Sequence, residues 1–249
     1  MRALILAALM VSAVPVAASA APADVKASVA ATASRSEENV KLDESRKPAE
    51  VLKFLGLQQG MWVADPFGSN LYWAEITAPA VGPKGRVTIW EPKQFYDQKS
   101  FDRLAAFNGK QPNVFMRVSP MEAPDLPGKY DFMLINLDYH DVYWESAKYG
   151  IPKMDPDQWL KTIYASMKPG GIVGVIDHAA NPGDTRATVE KLHRIDPATV
   201  KADFQRAGFV LEGESNILRN PADDHSLLVF DPAIRGKTDR FVFKFRKPR

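Results

Sequence analysis

"VADPFGSNLYWAE" (residues 63–75) decides the fold. It belongs to an apolar run, "MWVADPF" (61–67), that reads as a short strand with Asp65 near its end. A tight loop of small and polar residues follows, and "LYWAEITAPAV" (71–81) reads as a helix. Strand, tight loop and helix make the unit from which nucleotide-binding α/β sheets are assembled, with the ligand held at the loop.

The same alternation continues outward in both directions. Upstream, "SRKPAEVLKFLGLQQG" reads as a helix with Ser45 as candidate cap, apolar Val51, Leu52, Phe54 and Leu55, and Gly56 as its stop. Downstream, "RVTIWEP" (86–92) is a strand ending in an acid, 98–107 is helical, and "NVFMRVS" (113–119) and part of "YDFMLINLDYHD" (130–141) are strands. "DPDQWLKTIYASMKPGG" predicts a helix running into a Pro-Gly-Gly stop before the strand "GIVGVID" (171–177), and "DPATVKADFQRAGF" predicts a further helix. "FVLEGES" and "TDRFVFKF" close the chain with no strong helix between them, so they pair antiparallel at one edge. Strands separated by helices predict βαβ units. The expected fold is α/β: a Rossmann-like, doubly wound, mostly parallel seven-stranded sheet with an antiparallel last strand.

With 249 residues, 45% of them hydrophobic, the chain fills one sizeable core. Lys plus Arg is 32 and Asp plus Glu is 30, a balance of +2 that leaves no electrostatic footprint for a nucleic-acid partner. Arg2, the apolar run "ALILAALMVSAVPVA" and "ASA" at 18–20 predict a signal peptide over 1–20, cleaved before Ala21. Export follows, to the periplasm in a Gram-negative source. No later segment predicts a membrane span. Residues 21–45 read as a linker or peripheral helix, and 46–249 as a single domain. Cysteine is absent, which excludes disulfides, a thiol nucleophile and cysteine-based metal sites.

Several stretches carry a resemblance over nearly the whole mature chain: "SRKPAEVLKFLGL", "VGPKGRV", "NLDYHDVYW", "MKPGGIVGVIDHAA", "LHRID" and "DPAIRGKTDRFVFKFRKP". The chain resembles the class I S-adenosylmethionine-dependent methyltransferases, and within them an exported, predicted methyltransferase family of bacteria. The resemblance implies S-adenosylmethionine as cofactor and a small-molecule acceptor. Asp65, Phe67, Tyr72, Trp73 and Glu75 match that family's first motif without a gap. Its glycine positions instead hold Ser69, Asn70 and Leu71, with Gly68 just before them. Asn70 tolerates the left-handed backbone that the glycines permit, whereas the branched Leu71 is expected to narrow the cofactor space. Cofactor contacts are expected at Asp65, Phe67, Gly68, Ser69, Asn70, Glu91, Asn136 and Leu137. Glu91, ending the second strand, suits a ribose or serves as an exposed strand-end carboxylate.

All four histidines, His140, His178, His193 and His225, stand beside carboxylates. His140 is expected to act as a general base oriented by Asp138 or Asp141, with Asp177, His178 and His193 lining the acceptor side. Without H-x-x-x-H or H-x-H spacing no metal site is assigned, although His/Asp sets also ligate metals. A third reading makes them structural caps. Tyr72, Trp73, Tyr139, Tyr143 and Trp144 are candidates for stacking on a planar ligand or for the core. Ser69 is a conceivable nucleophile, with "ADDH" (222–225) as partner segment, but no G-x-S-x-G occurs. Three functions therefore stand: methyl transfer, a silent or repurposed methyltransferase fold, and a metal-assisted or serine hydrolase.

Overall fold

The structure, a computed structural model, describes residues 21–249. The expected signal peptide lies outside the described residues. Four short helices come first: α1 (Val25–Ala30), α2 (Glu37–Val40), α3 (Asp43–Arg46) and α4 (Pro48–Leu55). They lead into β1 (Trp62–Pro66), α5 (Tyr72–Val81), β2 (Arg86–Pro92), α6 (Gln98–Asn108), β3 (Val114–Ser119) and β4 (Tyr130–Asn136). A 3-10 turn, His140–Tyr143, precedes α7 (Pro156–Ser166), β5 (Met167–His178), α8 (Thr185–Leu192), α9 (Pro197–Arg206), β6 (Val210–Ser215) and β7 (Arg240–Arg246).

The seven strands lie in the order β3-β2-β1-β4-β5-β7-β6. The first five are parallel, and β7 runs antiparallel between β5 and β6. The winding direction reverses between β1 and β4, the position where open α/β sheets bind ligands. The expected fold class holds, including the antiparallel edge.

Pleating sends alternate residues of one strand to opposite cores. Phe241, Phe243 and Phe245 face a core with Trp90, Trp159 and Phe204, whereas Val242 faces the other core with Leu52, Leu55, Tyr72 and Ile76. Phe204 stacks on Phe245 at 4.5 Å between ring centroids. Each such fully buried side chain contributes about 1.5–3 kcal/mol by leaving water.

Local boundaries differ from the sequence expectations at three places. Ser45 does not cap α4. Its hydroxyl donates to the Leu42 carbonyl, while Lys47 takes a left-handed conformation and Pro48 supplies the first helical residue. Helix α7 stops at Ser166, and the Lys-Pro-Gly-Gly stretch opens β5, which shifts register against β4 there. Helix α8 has no counterpart among the expected elements. It buries only Val189, and its start is set by Asp184, whose carboxylate accepts from the Ala187 N–H.

Candidate active site

The loop after β1 has an unusual backbone. Phe67 (φ 58°), Leu71 (φ 64°) and, after β4, Leu137 (φ 67°) are all left-handed without being glycine. Each costs about 1–2 kcal/mol relative to ordinary backbone. Main-chain hydrogen bonds impose the conformation: Phe67 N–H donates to Trp90 O at 2.7 Å, Leu71 N–H to Gly68 O at 2.8 Å, and Leu137 N–H to Ile176 O at 2.8 Å. The left-handed position expected at Asn70 falls instead at Leu71. The Asn70 side chain accepts from the Tyr72 N–H at 2.9 Å and so caps the start of α5.

Gly68 is required by contact rather than by dihedral. A Cβ there would lie 2.4 Å from Asp65 Oδ2 and 2.6 Å from its Cγ. The Asp65 carboxyl is therefore packed against the loop backbone, and its Oδ2 is buried with no hydrogen-bond partner among the described residues. Burial, and next the charge of Glu91, push its pKa up to about 8, against the opposing pull of Arg46. Glu91, one residue before the end of β2, accepts from the Ser69 N–H at 3.2 Å, and is pushed up to about 7 by burial.

A cavity of about 100 Å³ lies beside Asp65, lined by Phe67, Gly68, Asn70, Asn136, Leu137 and Asp138. Arg46 and Trp73 also line it. Leu71 is not among its walls. Its side chain is 3% exposed and packs into the core with Tyr72 and Trp73, so the expected narrowing does not come from Leu71. Arg46 lines the cavity instead, with its guanidinium 4.3 Å from the Tyr72 ring centroid. Burial depresses the Arg46 pKa against the fields of Tyr72, Asp138, Asp65 and Asp43, and no hydrogen bond holds its guanidinium among the described residues.

Residues 35–46 are tied down over this loop. Buried Arg35 grips Asp43 through two hydrogen bonds of 2.7 and 2.8 Å, and Tyr72 Oη donates to the same carboxylate at 2.9 Å. Glu75 accepts from the Ser36 N–H, and Asn39 donates to Asn70 O. The motif residue Glu75 thus fastens this segment to α5.

Across β4 a second cluster forms. His140 sits in the 3-10 turn, 3% exposed. Its Nδ1 lies 2.8 Å from Asp177 Oδ1, and its backbone N–H donates to Asp177 Oδ2 at 2.9 Å. Asp177, rather than Asp138 or Asp141, therefore orients the ring. His140 Nε2 lies 3.4 Å from Asp141 Oδ1, and His193 Nδ1 lies 3.5 Å from that same oxygen. Burial alone would depress the His140 pKa, but Asp177 and then Asp141 outweigh it and raise it to about 9. Asp138 is pushed well above the usual carboxylate range by burial and next by Asp141. His178 turns its Nδ1 to Thr238 Oγ1 at 2.7 Å, and burial holds its pKa well down.

The remaining candidates have other duties. Tyr139 and Tyr143 both donate to Asp203, binding the 3-10 turn to α9, and Tyr72 is wholly buried beneath Arg46. Trp144 stands beside His193, 4.9 Å between centroids. Ser69 has Glu91 and Arg103 as its main-chain partners, whereas His225 faces Asp239 and Asn181, so no serine–histidine pair is assembled among the described residues.

No family model matches the chain, and no curated protein matches it. Solved structures do. A SAM-dependent methyltransferase from Aquifex aeolicus superposes with a TM-score of 0.57 at 17% identity, over 90% of this chain and 98% of that one. The N-methyltransferase NodS from Bradyrhizobium japonicum gives 0.54 at 12%, over 86% and 96%. The fold is that of the class I methyltransferases. At such identities the likeness concerns the fold alone. The [4+2]-cyclase SpnF shares it too, at 0.55 and 16% identity over 82% and 80%, so the methyltransferase fold carries more than one chemistry. Among the described residues no helix is long and apolar enough to cross a membrane.

Arg35 escaped the sequence reading because a charged residue in a polar, Ala- and Lys-rich stretch looks solvated, and Arg46 because it was read only as part of the helix that begins at Ser45. The available signal was Tyr72, an aromatic beside a motif acid that needs a buried partner for its hydroxyl.

Proposed function

We propose that this methyltransferase-fold protein binds S-adenosylmethionine and transfers its methyl group to a small oxygen or nitrogen acceptor. The observation that carries the reading is the pairing of strand-end acids Asp65 and Glu91 around a strained loop, with Asp65 Oδ2 buried and unpartnered beside a cavity. An unsatisfied buried acceptor costs about 1–3 kcal/mol, and a bound cationic or hydroxylic group would relieve that cost. The residues fit the cofactor in type. Asp65, Asp138 and Asn136 offer acceptors for its ammonium end, Arg46 a guanidinium without a hydrogen bond among the described residues for its carboxylate, and Glu91 an acceptor for its ribose. Bound there, the cofactor supplies an electrophilic methyl group.

The chain's own contribution would be orientation and proton handling. The reading gives proton exchange on the acceptor side to His140 Nε2, the ring nitrogen left free while Asp177 holds Nδ1. The raised pKa makes it a stronger base that is protonated at neutral pH. Asp141, His178 and His193 complete that wall. Export through residues 1–20 belongs to the same proposal, and N-terminal sequencing of the protein secreted by its host should begin at Ala21.

A second reading, a repurposed fold without methyl transfer, is favoured by the size of the cavity. About 100 Å³ holds an amino-acid head group, not a nucleoside, since pockets for cofactor-sized ligands run to roughly 300 Å³ and more. Calorimetry with S-adenosylmethionine and S-adenosylhomocysteine separates the two. Binding by the intact protein, weakened by Asp65→Asn and Glu91→Gln, supports methyl transfer. Absence of binding up to about 1 mM, in the wild type and in Arg46→Ala alike, would leave the repurposed fold.

A further inference from the structure

We propose that His140, Asp141 and His193 bind a divalent transition-metal ion of the zinc class, with Asp177 as the outer partner of His140. The three ligand atoms, one from each residue, lie within 4.8 Å of one another. In a tetrahedral zinc site with bonds near 2.0–2.1 Å, neighbouring ligand atoms are roughly 3.3 Å apart. Asp141 Oδ1 is 3.4 Å from His140 Nε2 and 3.5 Å from His193 Nδ1, close to that edge length.

These contacts are not hydrogen bonds. Asp141 Oδ1 is buried and has no hydrogen-bond partner among the described residues, although two ring nitrogens are its near neighbours. A carboxylate oxygen left unsatisfied between two imidazoles is explained by a cation shared among the three. The outer contacts fit as well. Asp177 Oδ1 faces His140 Nδ1 at 2.8 Å and fixes the tautomer that leaves Nε2 free to ligate, the carboxylate–histidine–metal arrangement. Asp177 is itself held, accepting also from the His140 and His178 N–H groups.

His193 is delivered at some conformational cost. It caps α8 in the left-handed region at φ 49°, held by its N–H to Val189 O. Trp144 and Phe230 flank its ring at 4.9 and 5.2 Å. The sequence lacked the short spacing of a metal motif because the second imidazole arrives from a helix end distant in the chain. Two imidazoles and one carboxylate select zinc, cobalt, manganese or iron over magnesium or calcium. Three protein ligands leave at least one position open, as in metal sites that take an exchangeable oxygen ligand. A hydroxide, phenolate or carboxylate is the ligand class that position would accept.

A metal on His140 Nε2 takes the lone pair to which the methyl-transfer reading gives proton exchange, so the two roles of that nitrogen exclude each other. The test needs no cofactor, and its failure is distinguishable from a failure of S-adenosylmethionine binding. Chelator-treated full-length mature protein is titrated with Co²⁺, followed by visible absorption, and with Zn²⁺, followed by calorimetry. One equivalent of each should bind, with a d–d band of a site of four or five ligands. His193→Asn tolerates the left-handed cap and should preserve the fold, checked by circular dichroism, yet lower affinity about tenfold or more, as should Asp141→Asn. His225→Asn, at the separate Asp239 contact, should leave binding unchanged. Absence of stoichiometric binding up to about 0.1 mM, or binding that neither ligand substitution weakens tenfold, overturns the site.

Discussion

Asp65 and Asp177 lie near the ends of β1 and β5, either side of β4, and both are buried. Asp177 Oδ1 and Oδ2 together accept from two backbone N–H groups and face the His140 ring. Among the described residues Asp65 Oδ2 has no hydrogen-bond partner, and the cation whose field it feels, Arg46, acts only through space. The two aspartates are therefore held on opposite principles. Around Asp177 polar groups satisfy one another and fix ring orientations, whereas beside Asp65 a carboxyl oxygen without a hydrogen bond among the described residues and a strained loop adjoin a small cavity. Strain and unsatisfied groups persist where function holds them, which marks the Asp65 loop, like the unsatisfied Asp141 oxygen between His140 and His193, as a candidate for ligand binding.

The largest expected effect comes from reversing that arrangement one residue at a time. In chelator-treated protein, Asp177→Asn replaces one acceptor with a donor facing donors, and should cost about 3–5 kcal/mol in urea unfolding at pH 7. Asp65→Asn in the same assay should cost nothing. Equal losses in the two variants would dissolve the comparison.

The pH dependence sharpens it. Asp65 ionises near pH 4 in the unfolded chain and at about 8 when folded. Between those values the folded state binds the extra proton, so the residue's contribution to stability falls as pH rises from about 4 to 8 and is flat above. Relative to the wild type, Asp65→Asn should gain on the order of 2–4 kcal/mol across that window. Unfolding curves of the two proteins at pH 4, 6 and 8 measure the gap, and a constant gap would show that Asp65 is ionised in the fold.

Contact at the loop is the next test. Gly68→Ala places a methyl against the Asp65 carboxyl and should destabilise by about 1–3 kcal/mol. Combining it with Asp65→Ala removes the Oδ2 clash but leaves the Asp65 carbonyl oxygen at 2.9 Å, so part of the cost should persist. Full additivity in that double-mutant cycle would mean that the loop moves away from Asp65 altogether.

The architecture was legible because its signals are local. Apolar runs ending in Asp65, Glu91 and Asp177, and the Phe241/Phe243/Phe245 alternation, follow from the pleat and from burial. Helix α8 was not, since a short, mostly polar segment that buries one valine offers no apolar run to read. His140 and His178 were placed near one cleft by adjacency of β4 and β5, and their rings indeed lie 6.0 Å apart. Which acid serves His140 was not legible. The nearest candidates in sequence, Asp138 and Asp141, lost to Asp177, because pairing across parallel strands is set by register rather than by chain proximity.

Leu71 offers the smallest effect and the finest distinction. Glycine there would relieve a left-handed backbone worth about 1–2 kcal/mol, but would surrender a buried leucine worth about 1.5–3 kcal/mol and add unfolded-state freedom. Leu71→Gly should therefore destabilise by about 1 kcal/mol net in urea unfolding. Because its side chain points into the core and not into the Asp65 cavity, the same variant should leave any S-adenosylmethionine affinity within about twofold of the wild type, while Arg46→Ala changes it. Calorimetry on the pair decides which residue restricts the cavity. Tighter binding in Leu71→Gly alone would move the restriction from the packed N-terminal segment back to the loop itself.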